Sequence, residues 1–247
     1  MNSLADQIPS LLTPSQAGLL RTRAPRGHHK SAVLVMAATR GAIEITSDGP
    51  NATVRRRGEG TLDGDRVLDR LFEGGDAVQL HKAHPSMMAA WGEIDAGLER
   101  WSAETGVFKR APVRRFLRVR RPRTPVGDQL ATQADQLAEA LRSATPQDVA
   151  GAVASGHVPA LTGWALGLGV ADEWRARIAD AISQDDASFT ADHPDVHFVG
   201  LALLAHVSAN RSAIAQERGY TAQASPLENE LERDISRRRV MKPRRHY

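Results

Sequence analysis

The chain has 247 residues, enough for one large domain or two small ones, and its 41% hydrophobic and 25% charged content excludes global disorder. It contains no cysteine, which rules out disulfides, thiolate metal sites and a cysteine nucleophile, and suits the cytosol. The net charge is only +3, yet it is segregated. No acid stands between Asp6 and Glu44, while Arg21, Arg23, Arg26, Lys30 and Arg40 are all basic. Seven arginines and no acid fill Arg110 to Arg123, and the end from Arg233 is basic apart from Asp234. Asp172, Glu173, Asp180, Asp185, Asp186, Asp192 and Asp195 compensate. Such blocks suit either a polyanionic partner or a self-complementary surface; the competing reading is solvated faces and basic tails.

Thr13-Pro14 reads as an N-cap with proline at the first helical position, opening a short helix to Leu20. RTRAPRGHH reads as a loop, and Lys30 to Arg40 as a helix closed by Gly41. Ala42 to Thr46 and Ala52 to Arg57 are short strand-like runs, and the SDGPN between them is turn chemistry for a hairpin or wing. A helix from Asp63 with Val67, Leu68 and Leu71 stops at Gly74-Gly75. Another covers Ser86 to Glu104, with Trp91, Ile94, Leu98 and Trp101 at helical spacing.

The proline- and arginine-rich stretch that follows reads as a linker. Beyond it, Leu130, Ala134, Leu137, Ala138 and Leu141 make an apolar stripe, and Thr145-Pro146-Gln147-Asp148 is a capped start ending near Gly156. Trp174 and Ile178 mark a further helix. A long one from Pro194 to Arg218 is expected to be buried all round at FVGLALLA. The expected fold is therefore mainly α with a small β-hairpin: a winged-helix-like unit over 1–108, a basic linker over 109–125, a helical unit over 126–220 and a basic polar tail over 221–247. MNSLADQIPSLL lacks the pattern of a secretory signal. The apolar runs Val158 to Ala171 and Val196 to Ala209 are shorter than the roughly 18–20 residues a membrane span needs.

Three stretches carry a resemblance. They are TPSQAGLL with AVLVMAATRGAIEI, then LDGDRVLDRLFEGGDAVQL, then VPALTGWALGLGVADEW. In this order they resemble the cytosolic C-terminal region of a family of predicted bacterial membrane proteins of unknown function. The resemblance implies a winged-helix-like unit followed by a helical unit, on the cytosolic side, and implies no catalytic residues. Where family members place a transmembrane hairpin, this chain has Arg114, Arg115, Arg118, Arg120, Arg121 and Arg123. A weaker resemblance, through the apolar helix, the Arg40-Gly41 step and Ile43, is to the helical lipid-binding fold of the Golgi phosphoprotein type.

A recognition helix needs side chains that reach base edges, and SAVLVMAAT has none. Its apolar face, represented by Leu34, is instead expected to dock a protein. Arg55, Arg56 and Arg57 behind the wing, with the six linker arginines, suit phosphate contacts that are salt-dependent and unspecific; an edge strand protected by charge explains the first three equally well. His193 and His197, four apart among acids, have metal-ligand spacing, but no HExxH glutamate accompanies them and helix capping is the commoner role. His28-His29, His81 and His84 carry less, and His206 reads as a core histidine with a satisfied nitrogen. GEGTLDGD is too acidic to cradle phosphate and too sparse in acids for a calcium loop. GxxxxGK, GxSxG and GxGxxG are absent from the sequence. The expectation is a non-enzymatic, cofactor-free interaction or regulatory module of the bacterial cytosol, with a protein partner and homo-oligomerisation open to it. Nucleic acid and the anionic surface of a membrane are the alternative partners.

Overall fold

A computed structural model describes residues 3–57, 66–80, 84–109, 121–183 and 193–223 of the chain. A 3-10 turn, Ala5–Gln7, leads into α1 (Pro14–Thr22) and α2 (Gly27–Thr39). The hairpin β1 (Ile43–Asp48) and β2 (Asn51–Arg56), α3 (Arg66–Leu71), β3 (Ala77–Gln79) and α4 (Pro85–Thr105) follow. The second half is helical: α5 (Pro125–Arg142), α6 (Pro146–Ala154), α7 (Val158–Leu168), α8 (Ala171–Ser183) and α9 (Pro194–Gln223). The protein is thus mainly helical, with one small three-stranded antiparallel sheet in the order β1-β2-β3.

Local chemistry sets the helix boundaries. Thr13 and Gln16 form a reciprocal capping box on α1, and Thr145 and Asp148 form another on α6. At the end of α2, Gly41 N–H donates to the Ala38 carbonyl and Ala42 N–H to the Ala37 carbonyl, with Gly41 in the left-handed region at φ 74°. One start differs from expectation. RTRAPRGHH is not loop to its end, because α2 begins at Gly27. The His29 ring turns back to accept Arg26 N–H at 3.1 Å, so a histidine at the third helical position does the work usually left to Glu or Gln in a capping box.

The sheet has one buried face and one open face. Ile43, Ile45, Val54 and Val78 point inward, while Glu44, Thr46, Thr53, Arg55 and Gln79 take the other side. Strand β3, three residues long, was not expected; it pairs Thr53 with Gln79 and Val54 with Val78.

The two halves expected as separate units share one cluster of buried residues. Helix α2 packs most extensively on α7, and α1 and α9 flank them. The contact between α1 and α7 is so close that a Cβ on Gly18 would overlap the Gly167 carbonyl oxygen, and one on Gly167 would overlap the Pro14 carbonyl. Nor is the stretch between the halves a loose tether at its described ends. Phe108 bridges Arg123, Lys109 N–H donates to the Pro122 carbonyl at 2.8 Å, and Thr124 N–H donates to the Val107 carbonyl at 3.0 Å. Among the described residues, no helix is long and apolar enough to cross a membrane.

Helix α9 departs from expectation. Val199, Ala202, Ala205, Ser208 and Ala209 form its buried stripe, but Leu203 and Leu204 are only partly covered and Val207 is 43% exposed. Its apolar centre is not buried all round.

The glycine contact gives a paired prediction for chemical denaturation. Gly18→Ala forces α1 off α7 and should lower stability by about 1–3 kcal/mol or more. Gly92→Ala, at a helical position of α4 with nothing near its would-be Cβ, should raise stability by about 0.5–1 kcal/mol. Equal effects would show that the close approach does not hold the halves together.

Candidate functional site

The exposed side of α9 faces a cleft of about 850 Å³. Leu203, Leu204 and Val207 form one wall and Leu166 of α7 lines it, while Ala171, Asp172, Glu173 and Arg175 of α8 line the opposite side. Pro50, at the tip of the hairpin, stands on the rim. The hairpin is tied to the helix by Ala52 N–H, which donates to Ser208 Oγ at 3.2 Å. Glu173 is 3.4 Å from Arg142, whereas Asp172 and Arg175 make no ion pair among the described residues. Among the described residues the cleft therefore has an apolar wall and a rim carrying one unpaired charge of each sign.

Histidines line its inner end. His28 and His206 face the cleft, and His29 packs edge-on against His28 at 4.3 Å between ring centres. His206 Nδ1 is 3.0 Å from Ser31 Oγ, and Asn210 Nδ2 lies 3.1 Å from His206 Nε2. That agrees with the expectation of a satisfied nitrogen, although the ring is half-buried at the edge of the cleft and not deep in the core. Ser31 Oγ also donates to the Gly27 carbonyl and the residue is 1% exposed, which removes it as a nucleophile open to substrate. His28 Nε2 is different: it is buried and has no hydrogen-bond partner among the described residues.

Burial, reinforced by the charges of His206, Arg26 and Arg21, holds the His28 imidazolium down to about 4. Burial, with His28 and Arg26 adding to it, takes His29 to about 3, the Gly18 carbonyl working the other way. Burial lowers His206 too, opposed by Asp172. All three rings are neutral at pH 7.

The structure scatters the residues singled out from sequence. Leu34 is 1% exposed in the core, so the apolar face of α2 is not a docking surface. The cause is the back half of the chain: α7 covers the side that a separate front unit would have left open. Arg56 lies 3.5 Å from Asp69 and Arg57 3.0 Å from Glu44, while Arg55 has no ion pair among the described residues. Arg121 grips Glu99 with two bonds of 2.9 and 2.6 Å and sits over the Phe108 ring. Arg123 donates to the Leu20 carbonyl at 2.8 Å and approaches Asp128. Both anchor the C-terminal end of the arginine-rich stretch to the body.

Arg114, Arg115, Arg118 and Arg120 lie outside the described residues, as do GEGTLDGD, His81, Asp185, Asp186, Asp192 and the tail beyond 223. His193 Nδ1 accepts Asp195 N–H at 3.2 Å, a capping contact. Among the described residues, no group of three or more His, Asp or Glu has metal-holding geometry. No family model, curated protein or solved structure matches the chain.

The neutral histidines make stability depend on pH. In the unfolded chain each ring protonates near its ordinary value of about 6.5; in the folded chain all three are lowered, His28 to about 4 and His29 to about 3. Their contribution is therefore complete above about 6.5 and is lost as pH falls toward about 4. The slope is at most ~1.4 kcal/mol per pH unit for each ring. Asp6 and Asp148, held below the usual carboxylate range by bonds from Ser3 and Thr145, lose their contribution in a lower window. Melting temperature should fall between pH 6.5 and 5, and less steeply in His28→Gln. A flat wild-type profile over that interval would contradict the buried cluster.

Proposed function

We propose that the protein is a non-enzymatic interaction module of the cytoplasm whose α8–α9 cleft docks a segment of a partner protein. One observation carries the reading: a run expected to be wholly buried leaves Leu203, Leu204 and Val207 facing a cleft, beside uncompensated Asp172 and Arg175. An apolar centre inside a charged rim is the anatomy of a protein interface. Charges of both signs on the rim suit a peptide with one or two apolar anchors flanked by an acid and a base. The winged-helix-like reading of residues 1–108 enters only through its hairpin, whose tip reaches the rim. Helix α2, where a recognition helix would stand, belongs to the core.

The test is site-directed photo-crosslinking in cells. A photoreactive residue at Val207 should give discrete protein adducts, and one at Val126, 53% exposed but not part of the cleft lining, should not. Val207→Asp should lower recovery of the same partner at least about tenfold, as for an interface anchor. Its stability should stay within about 0.5 kcal/mol, as for an exposed position. Matching adducts at both positions, or nucleic acid as the main adduct, would defeat the proposal.

A further inference from the structure

The open face of the sheet holds a second concavity, of about 610 Å³, which shares no lining residue with the α8–α9 cleft. Thr46, Ser47, Thr53, Arg55, Ala77, Val78, Gln79 and His84 line it. Among the described residues the lining contains one cation, several hydrogen-bond donors and no carboxylate.

Three details decide its chemistry. Arg55 sits on the central strand directly opposite Glu44, the acid best placed to neutralise it. But the Glu44 carboxylate is bonded to Arg57, on the same face, at 3.0 Å, so the strip Glu44, Arg55 and Arg57 keeps one positive charge and Arg55 carries it. His84 is the N-cap of α4, and its Nδ1 accepts Ser86 N–H. In the neutral ring that places the proton on Nε2, which is then a donor. The positive end of the α4 dipole lies at the same residue. The Thr53 hydroxyl and the Gln79 amide complete the set.

We propose that this face binds the phosphoryl group of a small phosphorylated molecule, with Arg55 as the anchor. A guanidinium fork satisfies two oxygens of an anion. A carboxylate has no more to offer, whereas a terminal phosphoryl group presents a third oxygen to the hydroxyl, amide and imidazole donors around the same concavity. The volume leaves room for the rest of the molecule beside the phosphoryl group.

The test follows the arginine side-chain Nε–Hε resonances of the full-length protein by NMR during titration with inorganic phosphate at constant ionic strength. The Arg55 resonance should shift saturably. Arg55→Gln should weaken binding at least about tenfold, the scale of a lost charge-assisted pair. Arg100→Gln removes the same charge from an exposed site on α4 and should leave binding unchanged. Arg57→Gln should fall between them, because it frees Glu44 to neutralise Arg55. Equal losses for Arg55→Gln and Arg100→Gln would show diffuse charge attraction and overturn the site. So would binding to phosphatidic acid vesicles or duplex DNA with no response to inorganic phosphate. Since the two sites share no residue, this result and the crosslinking at Val207 succeed or fail separately.

Discussion

Helix α1 lies against α7 at a distance that only backbone can fill. Gly18 on one helix meets the carbonyl of Gly167 on the other, and Gly167 meets the carbonyl of Pro14. This contact ties residues near the start of the chain to residues some 150 positions later, and it fixes what lies on either side. Helix α2, following α1 directly, has to rest on α7, so Leu34 and Val35 enter the core. Arg21 bonds the Leu168 carbonyl at the end of α7, and Ser15 Oγ donates to the His29 carbonyl at 2.7 Å, locking α1 to the first turn of α2. Given two helices at that distance, the core of the front half runs on into that of the back half.

The cleft follows from the same packing. With α7 covering one side of α2, helix α9 packs on the remaining flank of α2, on α7 and on the hairpin, and it does so with a stripe of small residues, Ala202, Ala205 and Ser208. Small side chains bring its backbone close, and Asn210 packs where a Cβ on Gly27 would have to sit. Leu203, Leu204 and Val207 are turned by the helical period toward the cleft, where Leu203 and Leu204 are only partly covered and Val207 is exposed. The start of α8 leaves the space open because its first turn is acidic. Asp172 and Glu173 suit the positive end of that helix and remain on the rim, not in the interior.

Much of the local structure was legible because it is written in short-range chemistry. Thr13 with Gln16 and Thr145 with Asp148 announce their helices within four residues, and Gly41 and Gly106 end theirs by taking backbone angles that other residues avoid. What could not be read is long-range. Strand β3 is too short to show a period. Nothing in SAVLVMAAT tells whether one flank or both are covered, since that depends on α7, and nothing in FVGLALLA tells which flank stays open. The histidine cluster joins residues almost 180 positions apart. Its one sequence signal, a His-His pair among basic residues in an acid-free stretch, points as readily to a surface as to a buried site.

The segregated charge resolves in the same long-range way. The acid-free start of the chain finds its acids in α4 and α5: Arg21 with Asp135 at 2.7 Å and Lys30 with Asp95 at 2.8 Å. Arg121 turns to Glu99, and Arg142 of α5 to Glu173 of α8. Partly exposed pairs of this kind contribute only about 0–1 kcal/mol each, so they do not drive folding. Their effect is on register, because a basic block set one helical turn out of place would face other cations. Within the described residues the blocks therefore behave mainly as a self-complementary surface. That changes which charges carry functional information. An arginine with an acid three ångströms away is part of the architecture, whatever its neighbours in sequence. Asp172 and Arg175 at one cleft, and Arg55 on the open face of the sheet, combine a place in the lining of a concavity with the lack of an ion pair among the described residues, the acid opposite Arg55 being already held by Arg57.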